Sequence, residues 1–240
     1  MGEERRNSFV ESMDSEIVVA GVDGCRAGWV VVLAQKRNSG THLLSVKLCK
    51  RFEEVLYLSP KPQMIVADIP IGLLETPEPG GRKCDQEARR LLGPRKTSVF
   101  SPPARNQEKT TIGLSKQSIG IRPKIFEVDR LMTPVLQATV LESHPELAFR
   151  ALTDEPMKFN KKTNQGKDER LRAVGKVFPG ITQDWQNGLR AFSRRQIAPD
   201  DLLDAYVLAW TALRIVEKKA QRVPADPPID SNGLRMEIWY

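Results

Sequence analysis

The chain has 240 residues, with 37 Lys and Arg against 30 Asp and Glu and a net charge of +7. Hydrophobic residues make up 40% and charged residues 28%, which excludes a fibrous or wholly disordered chain and fits a globular protein. Its longest apolar runs, around 17–22 and 29–34, fall far short of the about 20 residues a spanning helix needs. Residues 1–16 lack the apolar stretch of a signal peptide, and Arg6 stands where a myristoylation signal wants Ser or Thr. The expectation is a cytoplasmic protein with no membrane partner, a disordered tail over 1–16 and a single domain over 17–240.

Residues 17–23 (IVVAGVD) and 28–35 (GWVVVLAQ) are β-branched apolar runs joined by a short loop containing Asp-Gly, which predicts a hairpin. A third run, 43–48, makes a three-stranded meander. Helical spacing over 52–58 stops at Pro60 and Pro62. The continuous apolar run at 64–69 predicts a buried strand with Asp68 near its end. A Pro/Gly-rich loop and a helix over 85–92 follow, then one or two short helices between Ser115 and Met132. A short strand is expected at 139–142, helices at 145–152, 168–178 and 200–219, a flexible loop at 154–166, and a closing strand or tail at 234–240. The order predicts one α/β domain with a mixed sheet and an inserted basic helical segment, around 74–135.

The positive charge is segregated. Residues 82–130 hold 12 Lys and Arg against 5 Asp and Glu, residues 158–195 hold 10 against 3, and the remainder holds 15 against 22. Two basic segments on an acidic frame suit a phosphate-bearing partner, with nucleic acid the expectation, although solvated lysine-rich helices give the same count.

No Walker A loop, GxGxxG, HExxH or GxSxG motif occurs, and His42 and His144 are the two histidines. Three widely spaced cysteines, Cys25, Cys49 and Cys84, suit neither a disulfide framework nor a zinc site. Acids at the ends of apolar segments remain: Asp23, Asp68, Glu142, and the pair Asp201 and Asp204 on one face of the last helix. Asp201 is also explained as a first-turn acid favoured by the helix dipole. Asp204 precedes AYVLAWTALRIV, a stretch apolar nearly all round, and a buried carboxylate costs several kcal/mol unless paired or metal-bound. A divalent cation is the preferred explanation, and an arginine such as Arg26 the alternative. Asp23 and Asp68 have turn and cap explanations of their own, and Glu142, His144 and Glu146 in ESHPE read equally as a helix start.

The segments GVDGCRAGWVVV (21–32), ADIPIGL (67–73), CDQEARRLLGPRKTSVFSPPAR (84–105), ESHPELAFRAL (142–152), DDLLDAYVLAW (200–210) and GLRMEIWY (233–240) resemble the family of domain of unknown function 429. That family is described as predicted nucleases of the ribonuclease H-like superfamily, related in fold to Holliday-junction resolvases. The resemblance implies a ribonuclease H-like mixed five-stranded sheet flanked by helices, with an acidic site where the first and fourth strands lie side by side. Asp23, Asp68 and Asp204 then match the acids, Asp201 assists, and Glu142 is a weaker supporting candidate.

The expected activity is two-metal hydrolysis of nucleic acid with Mg²⁺ or Mn²⁺, since hard carboxylate oxygens suit those ions. Asp23, Asp68, Asp204 and Asp201 would be the metal ligands. Arg26, His144, Glu146, Arg95, Lys96 and Arg105 are candidates for substrate contacts. The alternatives are a nucleotide-binding phosphotransferase of the actin-like or sugar-kinase type, whose first hairpin has a similar Asp-Gly opening, and a non-catalytic binding protein. The sequence leaves the oligomeric state open.

Overall fold

The computed structural model describes residues 16–240, so the tail expected over 1–16 lies outside the described residues except for Glu16. β1 (Ile17–Cys25) and β2 (Gly28–Arg37) form the expected antiparallel hairpin, and β3 (Gly40–Cys49) pairs antiparallel with β2. The turn is tighter than its composition suggests. Cys25 pairs with Gly28, so Asp23 lies within β1, opposite Val30.

After α1 (Phe52–Leu56), β4 (Met64–Ala67) returns parallel to β1. Segment 74–135 carries α2 (Lys83–Leu92), a 3-10 helix at Gly93–Ser98 and α3 (Lys116–Leu131) before β5 (Val140–Glu142) pairs parallel with β4. The result is a mixed five-stranded sheet of order β3-β2-β1-β4-β5. Four helices follow: α4 (Pro145–Thr153), α5 (Asn164–Gly175), α6 (Ile181–Ala191) and α7 (Pro199–Val216). Where a closing strand was expected over 234–240, Ile238–Trp239 alone forms β7, paired with β6 (Arg222–Val223).

Strand alternation sorts the core into two layers. Val19, Val30, Val32 and Val66 face α7 and pack with its Ala205, Tyr206 and Ala209. Ala20, Val22, Val31, Ile65 and Ala67 face the other way, onto Phe52 and Val55 of α1 and Ile125, Phe126 and Val128 of α3. The segment read as an insertion is therefore partly integral, because α3 closes one face of the sheet.

Helix α7 is buried nearly all round, as its composition predicts, with β1, β2 and β4 on one side and α4, α5 and α6 on the other. Gly21 makes its approach to β1 possible: a Cβ there would lie 2.0 Å from the Ala205 carbonyl oxygen and 2.2 Å from the Ala209 nitrogen. Helix α6 has no counterpart among the elements expected from the sequence. That helix starts at a left-handed Gly180 and contains Gly188, and glycine lowers helix propensity. Among the described residues no helix is long and apolar enough to cross a membrane.

Candidate functional site

The register of the parallel pair decides where the acids go. β1 and β4 pair through Val22 and Ala67, and the Asp68 N–H donates to the Val22 carbonyl at 2.9 Å. Asp23 and Asp68 are the next residues on adjacent strands. By alternation both leave the sheet on the face that α7 covers. Asp204 comes down from α7 onto that face, one turn beyond Asp201. The structure thus brings together the three acids that the sequence singles out most strongly.

Their environment is costly for negative charge. Asp23 and Asp204 are 6% and 1% exposed. Burial, then Asp68 and Asp204, push the Asp23 carboxyl well above its ordinary range. Burial and Asp204 raise Asp68 to about 7, opposed by Lys161. Asp204 is raised by burial and held down by Lys161, and Asp201 is raised by burial to about 6 against a hydrogen bond from the Ala198 N–H at 2.8 Å. That bond caps α7, so Asp201 has its ordinary helix-start role as well as proximity to the cluster.

The cation on Asp204 is a lysine that the sequence reading did not single out. Lys161 Nζ donates to Asp204 Oδ2 at 2.7 Å and lies 3.5 Å from Asp200 Oδ2. Arg26, the arginine suggested for this role, is exposed in the hairpin turn. The other Asp204 oxygen, Oδ1, is buried with no hydrogen-bond partner. Asp68, Asp204, Lys161, Lys162, His144 and Glu146 all line a cavity of about 420 Å³.

Glu142 does not belong to this cluster. It pairs with Ala67 in the β4–β5 register, so it faces the opposite side of the sheet from Asp68. There the buried Arg82 donates to both its oxygens, at 2.6 and 2.8 Å, and the Ile71 N–H adds a bond at 2.7 Å. Arg82 also pairs with Asp85 at 2.7 Å. Burial raises Glu142 to about 7 in spite of Arg82. Its geometry is that of a buried ion triad fixing the loop after β4, where Arg82 also holds the Ile71 and Gly72 carbonyls.

Glu146 lines the cavity, but the buried Arg170 and the partly buried Arg95 hold it. His144 Nε2 lies 3.2 Å from the Ser98 carbonyl oxygen, which fixes the proton on Nε2 and leaves Nδ1 buried without a partner. Burial pushes the imidazole pKa down. Arg105 is spent on Asp129, Asp230 and Glu75, away from the acids, and Lys96 is exposed beside the cavity wall. The three cysteines are buried free thiols.

Among the described residues no three His, Cys, Asp or Glu side chains already stand in metal-holding geometry. The donor chemistry still fits a hard divalent cation. The donors are carboxylates, they repel one another in a buried place, and Asp204 offers an unpartnered oxygen. The family model described as "Protein of unknown function (DUF429)" matches residues 21–229. The chain belongs to this family. All the acids of the cluster lie inside the matched span of this DUF429 protein. No curated protein matches the chain.

Proposed function

We propose that this DUF429 protein is a divalent-cation-dependent phosphodiesterase of the nuclease type, on a ribonuclease H-like fold. The supporting observation is the register that sets Asp23 and Asp68 side by side beneath α7, which delivers a buried Asp204 with one oxygen unpartnered. The mixed five-stranded sheet with β1 and β4 side by side is consistent with what the family resemblance implies for that fold.

Asp23, Asp68 and Asp204 would hold the cation, and Asp201 orients α7 through its cap. Bound Mg²⁺ or Mn²⁺ supplies Lewis-acid polarisation of the phosphate and neutralises charge that develops in the transition state. Lys162, exposed at the mouth of the cavity, is placed to bind phosphate oxygens. His144, its pKa lowered by burial, adds a neutral imidazole to the cavity wall, with its Nδ1 buried. A second cavity of about 670 Å³ shares Thr97 and Gln117 with the first, so space for a longer ligand adjoins the one that Asp68 and Asp204 line. An actin-like phosphotransferase is built from two such domains, whereas the described residues form one five-stranded sheet.

Labelled single-stranded and duplex oligonucleotides incubated with the protein and Mg²⁺ or Mn²⁺ test the reading. Cleavage is expected, and should disappear with a chelator and in Asp68→Asn. No cleavage of any such substrate with either ion would overturn it.

A further inference from the structure

The segment around Lys161, whose composition suggests a flexible loop, is fastened at successive backbone groups. Glu169 accepts from the Lys158 and Phe159 N–H groups at 2.9 and 3.0 Å. The Phe159 carbonyl accepts from Arg95 at 3.1 Å and Arg170 at 3.2 Å. The Asn160 carbonyl accepts from the Thr163 N–H and hydroxyl, and its side chain accepts from the Lys162 N–H. Gly166 completes the fastening, because a Cβ there would lie 2.0 Å from the Asn160 carbonyl oxygen.

All these bonds flank one residue whose ammonium ends on Asp204 Oδ2. An ordinary surface ion pair contributes little to stability and needs no such scaffold. A strap this well fixed makes sense if the position of the charge matters. The Asp204 carboxylate is then divided, with Oδ2 given to the lysine and Oδ1 buried and unpartnered on the other side.

We propose that Lys161 is the resident cation of the acid cluster, standing where one of two divalent ions would otherwise sit, so that the site takes a single divalent cation. This rests on the reading of Asp23, Asp68 and Asp204 as cation ligands and replaces its two-ion form. Lys161 acts through Asp204 as a positioning residue: it neutralises one oxygen and leaves the other for the ion.

Mn²⁺ titrated into the full chain by calorimetry, with native mass spectrometry to count bound ions, tests this. The parent should bind one Mn²⁺ per chain, Lys161→Arg one, and Lys161→Met two, the second ion taking the vacated place. Metal-free Lys161→Met should melt below the parent and recover most of the difference in excess Mn²⁺. Two ions in the parent, or one in Lys161→Met, would overturn the proposal, as would a Lys161→Met protein that Mn²⁺ does not rescue. No Mn²⁺ binding by any of the three would overturn both this inference and the cation-ligand reading. One ion in the parent and two in Lys161→Met without cleavage of any oligonucleotide would leave this inference standing and remove the nuclease reading alone.

Discussion

At Asp68, burial and the neighbouring Asp204 hold the carboxyl near 7, while the unfolded chain titrates near 4, at about 3.9. The folded protein therefore keeps a proton over a pH range where the unfolded chain has lost it. For an acid raised in this way the contribution is neutral below the unfolded value and grows destabilising as pH rises toward the folded one. In chelator, Asp68→Asn should thus gain stability relative to the parent between about pH 4 and 7, by at most about 1.4 kcal/mol per pH unit. Thermal melts of both proteins across that range check it, and a difference that does not vary with pH would mean that Asp68 ionises freely. Asp23, Asp68 and Asp204 were legible in the sequence because each follows or interrupts an apolar run with no local partner. Lys161 was not, since it lies in a polar stretch 43 residues from Asp204 and nothing local marks it.

Between elements, the close approach of α7 to β1 is what lets a helix acid reach strand acids. Gly21→Ala puts a methyl group against the Ala205 backbone, and overpacking of this kind costs about 1–3 kcal/mol. The same substitution should weaken Mn²⁺ binding, because it moves Asp204 away from Asp23; unchanged stability and binding would show that the helix can yield. Glu142 is the contrasting case. Removing it strands a buried arginine, so Glu142→Ala should lose about 3–5 kcal/mol while the refolded fraction still binds Mn²⁺, as denaturant melts and titration would show. The meander, the buried fourth strand and the last helix could be read from apolar runs alone. The face on which Glu142 points could not, because it depends on the β4–β5 register, which no local pattern fixes.

For the molecule as a whole, the two basic segments are less of a phosphate surface than their count suggests. Arg82, Arg105 and Arg170 are spent on internal carboxylates, and Arg89 on the Val99 and Gly80 carbonyls. Sequence counts add these to the exposed lysines, because an arginine's partner is invisible before the fold is known. Nucleic-acid binding should follow the exposed cations only. On duplex DNA, Lys162→Ala should reduce the log–log salt slope by about 0.9, the share of one phosphate contact. Arg105→Ala should leave the slope unchanged and lower stability instead. Fluorescence anisotropy over a range of salt separates the two, and equal slopes for Lys162→Ala and the parent would remove Lys162 from the interface.

The most direct test of the acid cluster as a cation site is the melting of the parent and Asp204→Asn with and without Mn²⁺. The substitution removes charge at nearly constant volume, and Lys161, whose side chain is 36% exposed, can turn to water. Loss of the ion pair is then offset by relief of the repulsion that Asp204 exerts on Asp23 and Asp68, so metal-free stability should change little. Mn²⁺ at a hundred times its dissociation constant should stabilise the parent by about 2.7 kcal/mol and the variant by almost nothing. A parent that gains no stability from Mn²⁺, together with a variant that loses several kcal/mol without it, would contradict the account and leave Asp204 as half of a structural ion pair.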